Sequence, residues 1–412
     1  EGDENNPVTQ GRLCVRCITL KDYIYNPSRI LHPMKRDPEK RGVADAWEEI
    51  TWDEAFSLIK KRYDEITEQY GRESIVVFAG TGREGGTMAP FGSRMLCTPN
   101  YCYSQSGYAC YVPRMAASSY LLGAAYPEID YAGGLPGRYD DPEYEIPECI
   151  VVWGKEPLAS NPDGLFGHAV IDLMRRGTRL IVVDPRKTWM SSRADYLLQL
   201  RPGTDTALAM AWLNVIISEG LYDKEFVEYW CYGFEELAER VKEMTPAKAA
   251  EITGVPEEKI VAAARMYATA TPASIAWGLA LDQKANGMQA GHCMIALMAI
   301  CGNIDVPGGM RIGDKTMGLN EAGFGFEEGL GKELIAKMIG AKEYPAYCGL
   351  ILNSHCDLTL RAMETDDPYP IKMGFYAGNN LLSCTSAEPE RWMKAINRSM
   401  EFVVGFDPDR KS

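Results

Sequence analysis

Two apolar segments rich in β-branched residues, Cys149–Trp153 and Arg179–Val183, most constrain how this chain can fold. A helical pattern at about 165–176 joins them and ends at Gly177, which predicts a strand, a helix and a second strand. Such a connection is almost always right-handed, so the two strands belong to one parallel sheet with helices on its faces. We therefore predict an α/β fold built on parallel-sheet αβα domains of the nucleotide-binding type.

The end of the sequence repeats this order of segments. A strand predicted at Lys372–Ala377 leads into Gly378, as the first strand leads into Gly154. A strand predicted at Glu401–Gly405 leads into Phe406-Asp407-Pro408, which parallels Val183-Asp184-Pro185. We therefore predict two related αβα halves. Because the sequence opens on a loop-like stretch and stops shortly after Pro408, we expect it to be incomplete at both ends.

The residues that follow the Arg179–Val183 strand indicate a ligand with a nucleotide tail. A carboxylate at this position, Asp184, can accept hydrogen bonds from a ribose diol or a guanine edge, and Arg186 can pair with phosphate. The alternative is that Asp184 caps the next helix. Arg201-Pro202-Gly203-Thr204-Asp205 adds a second arginine and a helix N-terminus. No G-x-G-x-x-G accompanies the first strand, which argues against an ordinary nicotinamide site.

Charge and composition exclude several other classes of protein. Lys+Arg total 43 against 57 Asp+Glu, a formal net charge of −14 that gives no support to nucleic-acid binding. No apolar run approaches the roughly 18 residues that a membrane span needs, so we expect no membrane span in this chain. Twelve cysteines are too dilute for a disulfide scaffold. Cys14-Val15-Arg16-Cys17 alone indicates zinc or redox chemistry, but no second pair follows at zinc-site spacing.

Five motifs occur in an order that resembles the molybdopterin oxidoreductases of the dimethyl-sulfoxide-reductase superfamily. They are W-G-x-x-P at Trp153–Pro157, I-V-V-D-P-R-x-T at Ile181–Thr188, R-P-G-T-D-x-A-L-A-x-A at Arg201–Ala211, A-W-G-x-A-x-D-Q-x-x-N-G-x-Q at Ala276–Gln289 and G-N-I-D-x-P-G-G at Gly302–Gly309. The resemblance covers essentially the whole chain. It implies a bis-molybdopterin guanine dinucleotide cofactor that chelates Mo or W through dithiolenes.

The resemblance assigns cofactor-binding residues to both halves. One guanine dinucleotide would be bound by Gly154, Asp184, Arg186 and Asp205. Further candidate cofactor-binding residues are Glu156, Pro157, Pro185, Arg201, Gly203, Trp277, Gly278 and Asn303. The site for the other would begin at Gly378, Asn379 and Asn380. Glu156 departs from the family pattern, since many members have Asn there.

The resemblance also changes the interpretation of the cysteines. Cys14 matches the last ligand of an N-terminal [4Fe-4S] cluster whose other cysteines would precede this sequence, and Arg16 matches a basic residue between cluster and pterin. Cys110, within S-G-x-x-C-Y-x-P-R at Ser106–Arg114, matches the protein ligand of the metal. A thiolate is a soft donor that suits Mo or W. This phrase is most similar to the acetylene-hydratase and catechol-dehydroxylase branch; the alternative is a buried structural cysteine. Candidate proton donors near the metal are Glu84, Tyr108, Tyr111 and Asp282.

These assignments predict three regions. Residues 1–46 are the extended remnant of an iron–sulfur domain, 47–145 with 345–412 form a discontinuous first αβα cofactor domain, and 146–344 form a second αβα domain that binds a guanine dinucleotide.

The expected function is that of a catalytic-subunit fragment of a Mo or W oxidoreductase. It would carry out reductive dehydroxylation or oxygen-atom transfer on a small-molecule substrate, with electrons delivered through a [4Fe-4S] cluster and an iron–sulfur electron-transfer subunit as partner. Alternatives in the same family are a non-redox hydratase and a polysulfide- or thiosulfate-type reductase. Outside it, an NAD-type dehydrogenase and a cofactor-free binding subunit stay open. The localisation also stays open between the cytoplasm and the cell envelope of an anaerobic prokaryote.

Overall fold

The computed structural model describes residues 1–6, 9–80, 88–103, 112–124, 126–130, 144–160, 165–312, 330–345, 347–348 and 353–408. The chain forms two compact units, each discontinuous in sequence. Unit one comprises Glu1–Lys21 and Tyr108–Lys315, and unit two comprises Asp22–Gly107 and Thr316–Ser412. The bounds of these units differ from those of the predicted regions: the first 46 residues are divided between the two units, and unit one begins again at Tyr108 and ends at Lys315.

The regular elements alternate along most of the chain. The strands are β1 Met34–Arg36, β2 Trp47–Glu49, β3 Ile75–Ala79, β4 Asn100–Tyr103, β5 Glu128–Ile129, β6 Cys149–Trp153, β7 Arg179–Val183, β8 Tyr196–Leu198, β9 Ala273–Trp277, β10 Met310–Arg311, β11 Met373–Ala377 and β12 Phe402–Phe406. The α-helices are α1 Val15–Ile18, α2 Leu20–Ile24, α3 Trp52–Tyr70, α4 Met88–Pro90, α5 Val112–Leu122, α6 Pro157–Ser160, α7 Leu165–Arg175, α8 Asp205–Ser218, α9 Lys224–Trp230, α10 Phe234–Val241, α11 Pro246–Thr253, α12 Glu257–Ala268, α13 Gly287–Ile300, α14 Gly331–Ile335, α15 Cys356–Thr365 and α16 Pro389–Ser399. Across the described ranges, none of these helices is long and apolar enough to cross a membrane.

A four-stranded parallel sheet in the order β8-β7-β6-β9 forms the centre of unit one. Every residue of β6 and β9 is buried, as expected when helices cover both faces of a parallel sheet. The chain proceeds from β6 through β7 to β8 in one direction, whereas β9 lies on the other side of β6. The strand order therefore reverses between β6 and β9, and Trp153 pairs in register with Trp277 across this boundary.

Aromatic side chains fill the core of unit one. Trp153 meets Trp212 of α8 edge to face, with 5.3 Å between ring centroids, and Trp212 in turn contacts Tyr267 of α12. All three side chains are fully buried. Their large apolar area stabilises the packing of α8 and α12 near the sheet.

Unit two contains a second parallel sheet, in the order β12-β11-β3-β4. The chain moves outward from β3 to β4 and in the opposite direction from β11 to β12, so this order reverses between β3 and β11. The edge of β4 pairs with a loop, where the backbone N–H of Ser354 donates to the carbonyl of Tyr101 at 2.9 Å. The Tyr103 N–H donates to the side-chain oxygen of Asn353 at 2.7 Å.

The predicted α/β class and the two parallel-sheet halves are confirmed. Predicted strands at the apolar runs agree with β6, β7, β11 and β12 to within one residue. The sequence did not indicate β4 or β8, since Asn100–Tyr103 lacks aliphatic β-branched residues and Tyr196–Leu198 is very short. The expected extended segment 1–46 contains instead the two short helices α1 and α2 and the strand β1, which pairs antiparallel with β2 just beyond the segment.

Candidate cofactor sites

Two glycines mark the point in unit one where the strand order reverses. Gly154 follows β6 and Gly278 follows β9, and the backbone N–H of Gly278 donates to the Trp153 carbonyl at 2.9 Å. The N–H of Gly154 likewise donates to Val183 of β7 at 2.9 Å. In open parallel sheets, ligands bind in the crevice outside the carboxyl ends of the strands at such a reversal.

The geometry of these two positions admits only glycine. A Cβ on Gly278 would lie 2.2 Å from the carbonyl oxygen of Gly154. Gly154 has φ +60°, and a Cβ there would lie 2.9 Å from the Cβ of Ala280. The lack of side chains therefore brings the two strand-end loops into direct backbone contact and lets a ligand approach the backbone closely.

Asp184 lies at the end of β7, at the same edge of the sheet. It is 4% exposed and accepts hydrogen bonds from the Arg186 backbone N–H at 2.8 Å and from its Nε at 3.2 Å. The intervening Pro185 carbonyl accepts from Gln199 Nε2 at 3.2 Å. The loop is thus held by the carboxylate that we predicted to contact the ligand, while the Arg186 side chain is 68% exposed.

A second buried carboxylate, Asp205, lies in the first turn of α8. Its Oδ1 accepts from Trp153 Nε1 at 2.8 Å, and its Oδ2 pairs with the ammonium of Lys284. The same region contains α6, where Pro157 is the buried first residue and the Glu156 carbonyl accepts from Ser160.

Four predicted cofactor residues have other partners. Arg201 donates from Nη1 to the carbonyls of Glu251 and Ile252 at the end of α11. Trp277 is fully buried, and its Nε1 donates to the Pro127 carbonyl at 2.7 Å. Gly203 and Asn303 each accept a hydrogen bond within the protein. The Gly203 carbonyl accepts from the Asn286 side chain at 3.5 Å, and Asn303 Oδ1 accepts from the Ala273 backbone N–H.

Asn303 lies at a different edge of the sheet from the other predicted residues. Because Ala273 is the first residue of β9, Asn303 lies at the amino edge of the sheet, opposite the edge of Asp184 and Gly154. The structure therefore does not bring Asn303 together with the other predicted residues.

Unit two repeats the glycine pair at its own reversal of strand order. Gly80 follows β3 and Gly378 follows β11, and the Gly80 N–H donates to the Ala377 carbonyl at 3.0 Å. A Cβ on Gly80 would lie 1.7 Å from the Gly378 carbonyl oxygen. Gly378 has φ +56°, close to that of Gly154, and a Cβ there would have no atom within 4 Å. Gly80 and Gly378 are thus the counterparts of Gly278 and Gly154.

The residues after Gly378 supply polar groups to this crevice. Both side-chain polar atoms of Asn379 are buried and have no hydrogen-bond partner in the described part of the chain. Leaving a buried amide unpaired costs free energy, so such a group indicates a missing partner. Asn380 Oδ1 accepts from the Ser383 hydroxyl at 2.6 Å and begins the π-helical turn Leu381–Thr385.

Sequence reasoning missed two lysines in unit one. Lys155, directly after Gly154, is mostly buried and lies 3.6 Å from Glu128, and its burial lowers the pKa of the ammonium group. Lys284 pairs with Asp205. Both occupy unspecified positions within the motifs, next to predicted site residues, and proximity in sequence is the signal that could have found them. Each lysine lies beside a carboxylate, so the two pairs place polar donors near the predicted ligand without adding net charge.

The predicted iron–sulfur residues lie on α1. Cys14 is buried at the start of this helix, with its Sγ 3.6 Å from Cys17 Sγ, and the Cys17 backbone N–H lowers the pKa of the Cys14 thiol. Arg16 donates from Nη2 to the Ser160 carbonyl at the end of α6, at 2.9 Å. No group of three or more His, Cys, Asp or Glu suited to a metal occurs among the described residues.

The predicted metal ligand Cys110 lies outside the described residues. The same is true of Glu84, Tyr108 and Tyr111.

The two glycine-lined strand ends place this chain in the class of parallel α/β proteins with a crevice at a reversal of strand order, the position at which such proteins bind ligands. The model of the molybdopterin oxidoreductase family matches residues 29–407. Acetylene hydratase of Syntrophotalea acetylenica is 32% identical over 98% of this chain and 56% of its own length. Dimethyl sulfoxide reductase DmsA of Escherichia coli (strain K12) is 30% identical over 75% of this chain and 40% of its own length.

A solved structure shows the same likeness. That of acetylene hydratase from Pelobacter acetylenicus superposes with a TM-score of 0.85 and 30% identity, covering 99% of this chain and 56% of the other. The chain belongs to the molybdopterin oxidoreductase family, which confirms the resemblance drawn from the motifs. It spans about half the length of the relatives that it matches. The family implies a molybdopterin cofactor with Mo or W.

Proposed function

We propose that the protein containing this chain is a molybdenum or tungsten enzyme that binds two molybdopterin guanine dinucleotides, one in each unit. The observation that carries this proposal is the repeated glycine pair, Gly154 with Gly278 and Gly80 with Gly378, at equivalent points of two parallel sheets. A single dinucleotide would need only one such crevice. Two crevices of the same geometry suit two copies of one ligand.

The residues of unit one suit a guanine dinucleotide. Both oxygens of the buried Asp184 carboxylate accept from Arg186, and their remaining lone pairs can accept hydrogen bonds from a guanine edge or a ribose diol. Arg186, whose guanidinium is mostly exposed, and Lys155 can neutralise phosphate oxygens. In unit two, the buried carboxamide of Asn379 offers one donor pair and one acceptor that a ligand would satisfy.

Two cysteines are proposed as ligands, one for the catalytic metal and one for the cluster that delivers electrons. When bound, the cofactor supplies a Mo or W ion that changes between the +4 and +6 states and has one position open to substrate oxygen. Cys110 is proposed as its thiolate ligand and Cys14 as the last ligand of a [4Fe-4S] cluster. Arg16 provides a cation beside Cys14, which would ease electron transfer toward the pterin.

For the reaction, we propose reductive dehydroxylation or oxygen-atom transfer on a small-molecule substrate. Electrons would arrive from an iron–sulfur partner subunit through the cluster. A specific observation favours a second candidate, the non-redox addition of water, because acetylene hydratase matches 98% of this chain. Both reactions need one open metal position, and they differ in whether electrons are consumed.

Metal analysis of the complete protein tests the cofactor proposal. After anaerobic expression in a host that makes the cofactor, we expect about one Mo or W and about four Fe per protein. Asp184→Asn and Asn379→Ala should each lower the Mo or W content, whereas Asp172→Asn, on the surface of α7, should leave it unchanged. Absence of both Mo and W from the unmodified protein would overturn the proposal.

An electron count separates the two reactions. Reductive dehydroxylation of a catechol consumes two electrons for each hydroxyl lost, so reduced viologen should be oxidised in step with the substrate. Hydration of acetylene should proceed with no net oxidation of viologen. If the protein converted acetylene but not the catechol, hydration would become the proposed reaction and reductive dehydroxylation would be abandoned.

A further inference from the structure

A buried ion pair joins α5 to the loop that follows β9. Arg114 Nε lies 2.8 Å from Asp282 Oδ2, and the two side chains are only 4% and 0% exposed. The other carboxylate oxygen, Oδ1, accepts from the backbone N–H of Arg114 at 3.1 Å. One carboxylate therefore binds both the side chain and the backbone of the same residue, which fixes the first turn of α5 in position and direction.

The guanidinium makes further contacts at the strand end. Arg114 Nη1 donates to the Trp277 carbonyl at 3.0 Å, directly before Gly278. The guanidinium carbon lies 4.9 Å from the centroid of the Tyr126 ring and 5.7 Å from that of Trp277. These contacts tie the start of α5 to the backbone of the glycine crevice in unit one.

Two glycines of α13 make this approach possible. A Cβ on Gly291 would lie 2.9 Å from the Cβ of Ala117 and 3.7 Å from the Cα of Arg114, so α5 and α13 pack closely. A Cβ on Gly287 would lie 2.7 Å from the Asp282 carbonyl oxygen. Gly287, which belongs to the same motif as Gly278, therefore lets α13 begin close to the backbone of Asp282, whose carboxylate holds Arg114.

Stability alone does not account for this pair. Replacing a buried ion pair by apolar side chains of similar size is often neutral or stabilising, because desolvation offsets the Coulomb attraction. Each member of this pair lies close, in sequence or in space, to a residue that the proposed function uses. In the sequence, Arg114 follows the proposed metal ligand Cys110 by four residues, and the Trp277 carbonyl precedes Gly278.

We infer that Arg114 and Asp282 are positioning residues that fix the chain leading out of the Cys110 segment relative to the cofactor crevice of unit one. This inference rests on the proposed function. It assigns Asp282 a role other than the candidate proton donor suggested by the sequence, because both carboxylate oxygens are bound by Arg114.

The test compares variants of the complete, anaerobically expressed protein. In the double variant Arg114→Met/Asp282→Leu, apolar side chains replace the ion pair, so no buried charge is left unpaired. The Arg114 backbone N–H and the Trp277 carbonyl lose a partner, so the thermal unfolding temperature should fall and is measured beside the metal content. The bound Mo or W of the double variant should be partly lost, or its Mo(V) or W(V) electron paramagnetic resonance signal should have altered g-values. Unchanged metal content together with an unchanged signal would overturn the inference.

Two further variants serve as a second test and as a control. If the double variant does not fold, Arg114→Lys is judged by the same two readouts. Lysine keeps the charge but cannot donate to Asp282 and to the Trp277 carbonyl in the geometry of the guanidinium. Arg265→Met/Glu219→Leu removes an exposed arginine–carboxylate pair of 2.8 Å in the same unit and should change neither metal content nor signal. If the unmodified protein itself lacks Mo and W, the proposed function fails first and the inference fails with it.

Discussion

At the residue scale, the two crevices depend on four glycines that no other residue could replace without strain or a clash. Gly80 and Gly278 have ordinary backbone angles, so their need for glycine comes from the carbonyl oxygen that occupies the space of a Cβ. Gly154 and Gly378 instead have positive φ, which disfavours other residues by backbone strain. Each crevice therefore combines one glycine selected by sterics with one selected by conformation.

We expect Gly80→Ala to destabilise unit two by about 1–3 kcal/mol or more, because the added methyl group would meet backbone rather than a movable side chain. Gly278→Ala should have the same effect in unit one. The free energy of unfolding in denaturant measures both.

Gly405→Ala in β12 is the matched control, since a Cβ there has no atom within 4 Å and the backbone φ is not positive. It should be neutral or slightly stabilising. Equal stability of Gly80→Ala and Gly405→Ala would contradict the steric argument.

At the element scale, the start of α3 illustrates local control by sequence. The Thr51 hydroxyl oxygen accepts from the Glu54 backbone N–H at 3.2 Å, as the spacing of the capping box predicts. Thr51→Ala should therefore cost about 0.5–2 kcal/mol of unfolding free energy. Ser57→Ala, on the exposed side of the same helix, should cost nothing. A difference of less than 0.3 kcal/mol between the two variants, on the order of additivity error, would contradict the role of the cap.

An ion pair between α15 and α16 predicts a pH-dependent contribution to stability. Arg391 donates from Nε and Nη2 to the two oxygens of Glu364, at 2.7 and 2.9 Å, and this hydrogen bonding lowers the pKa of the Glu364 carboxyl. A carboxyl whose pKa is lowered by folding stabilises the folded state above its unfolded pKa of about 4.3. That contribution is lost as the pH falls through the lowered value.

Glu364→Gln should therefore destabilise the protein at pH 7, by about 0.2–1 kcal/mol for a pair as exposed as this one. The difference from the unmodified protein should shrink below about pH 4. Denaturant unfolding at pH 7 and at lower pH measures it, with Glu390→Gln on α16 as the control. A difference that grows on acidification would show that the sign is wrong.

At the scale of the whole molecule, two crevices of the same geometry predict two nucleotides for each metal. Acid hydrolysis of the complete protein should release about two guanosine monophosphates per Mo or W, because each proposed dinucleotide carries one guanosine. Chromatography with metal analysis on the same sample gives the ratio. One guanosine per metal, or a different nucleoside, would contradict the assignment of one dinucleotide to each unit.

The sequence by itself determined the strands at the apolar runs, the edge of the sheet at which Asp184 lies and the family. These features depend on local patterns, since β-branched runs predict buried parallel strands and turn residues follow at their carboxyl ends. It could not show that Asn303 lies at the opposite edge, that Arg201 caps α11 or that Asp282 is enclosed by Arg114. Those facts depend on contacts between residues far apart in the chain, which only the packing of helices on the sheet brings together. The equivalence of the two glycine pairs was decided in the same way, because each requires two strands distant in sequence to lie side by side.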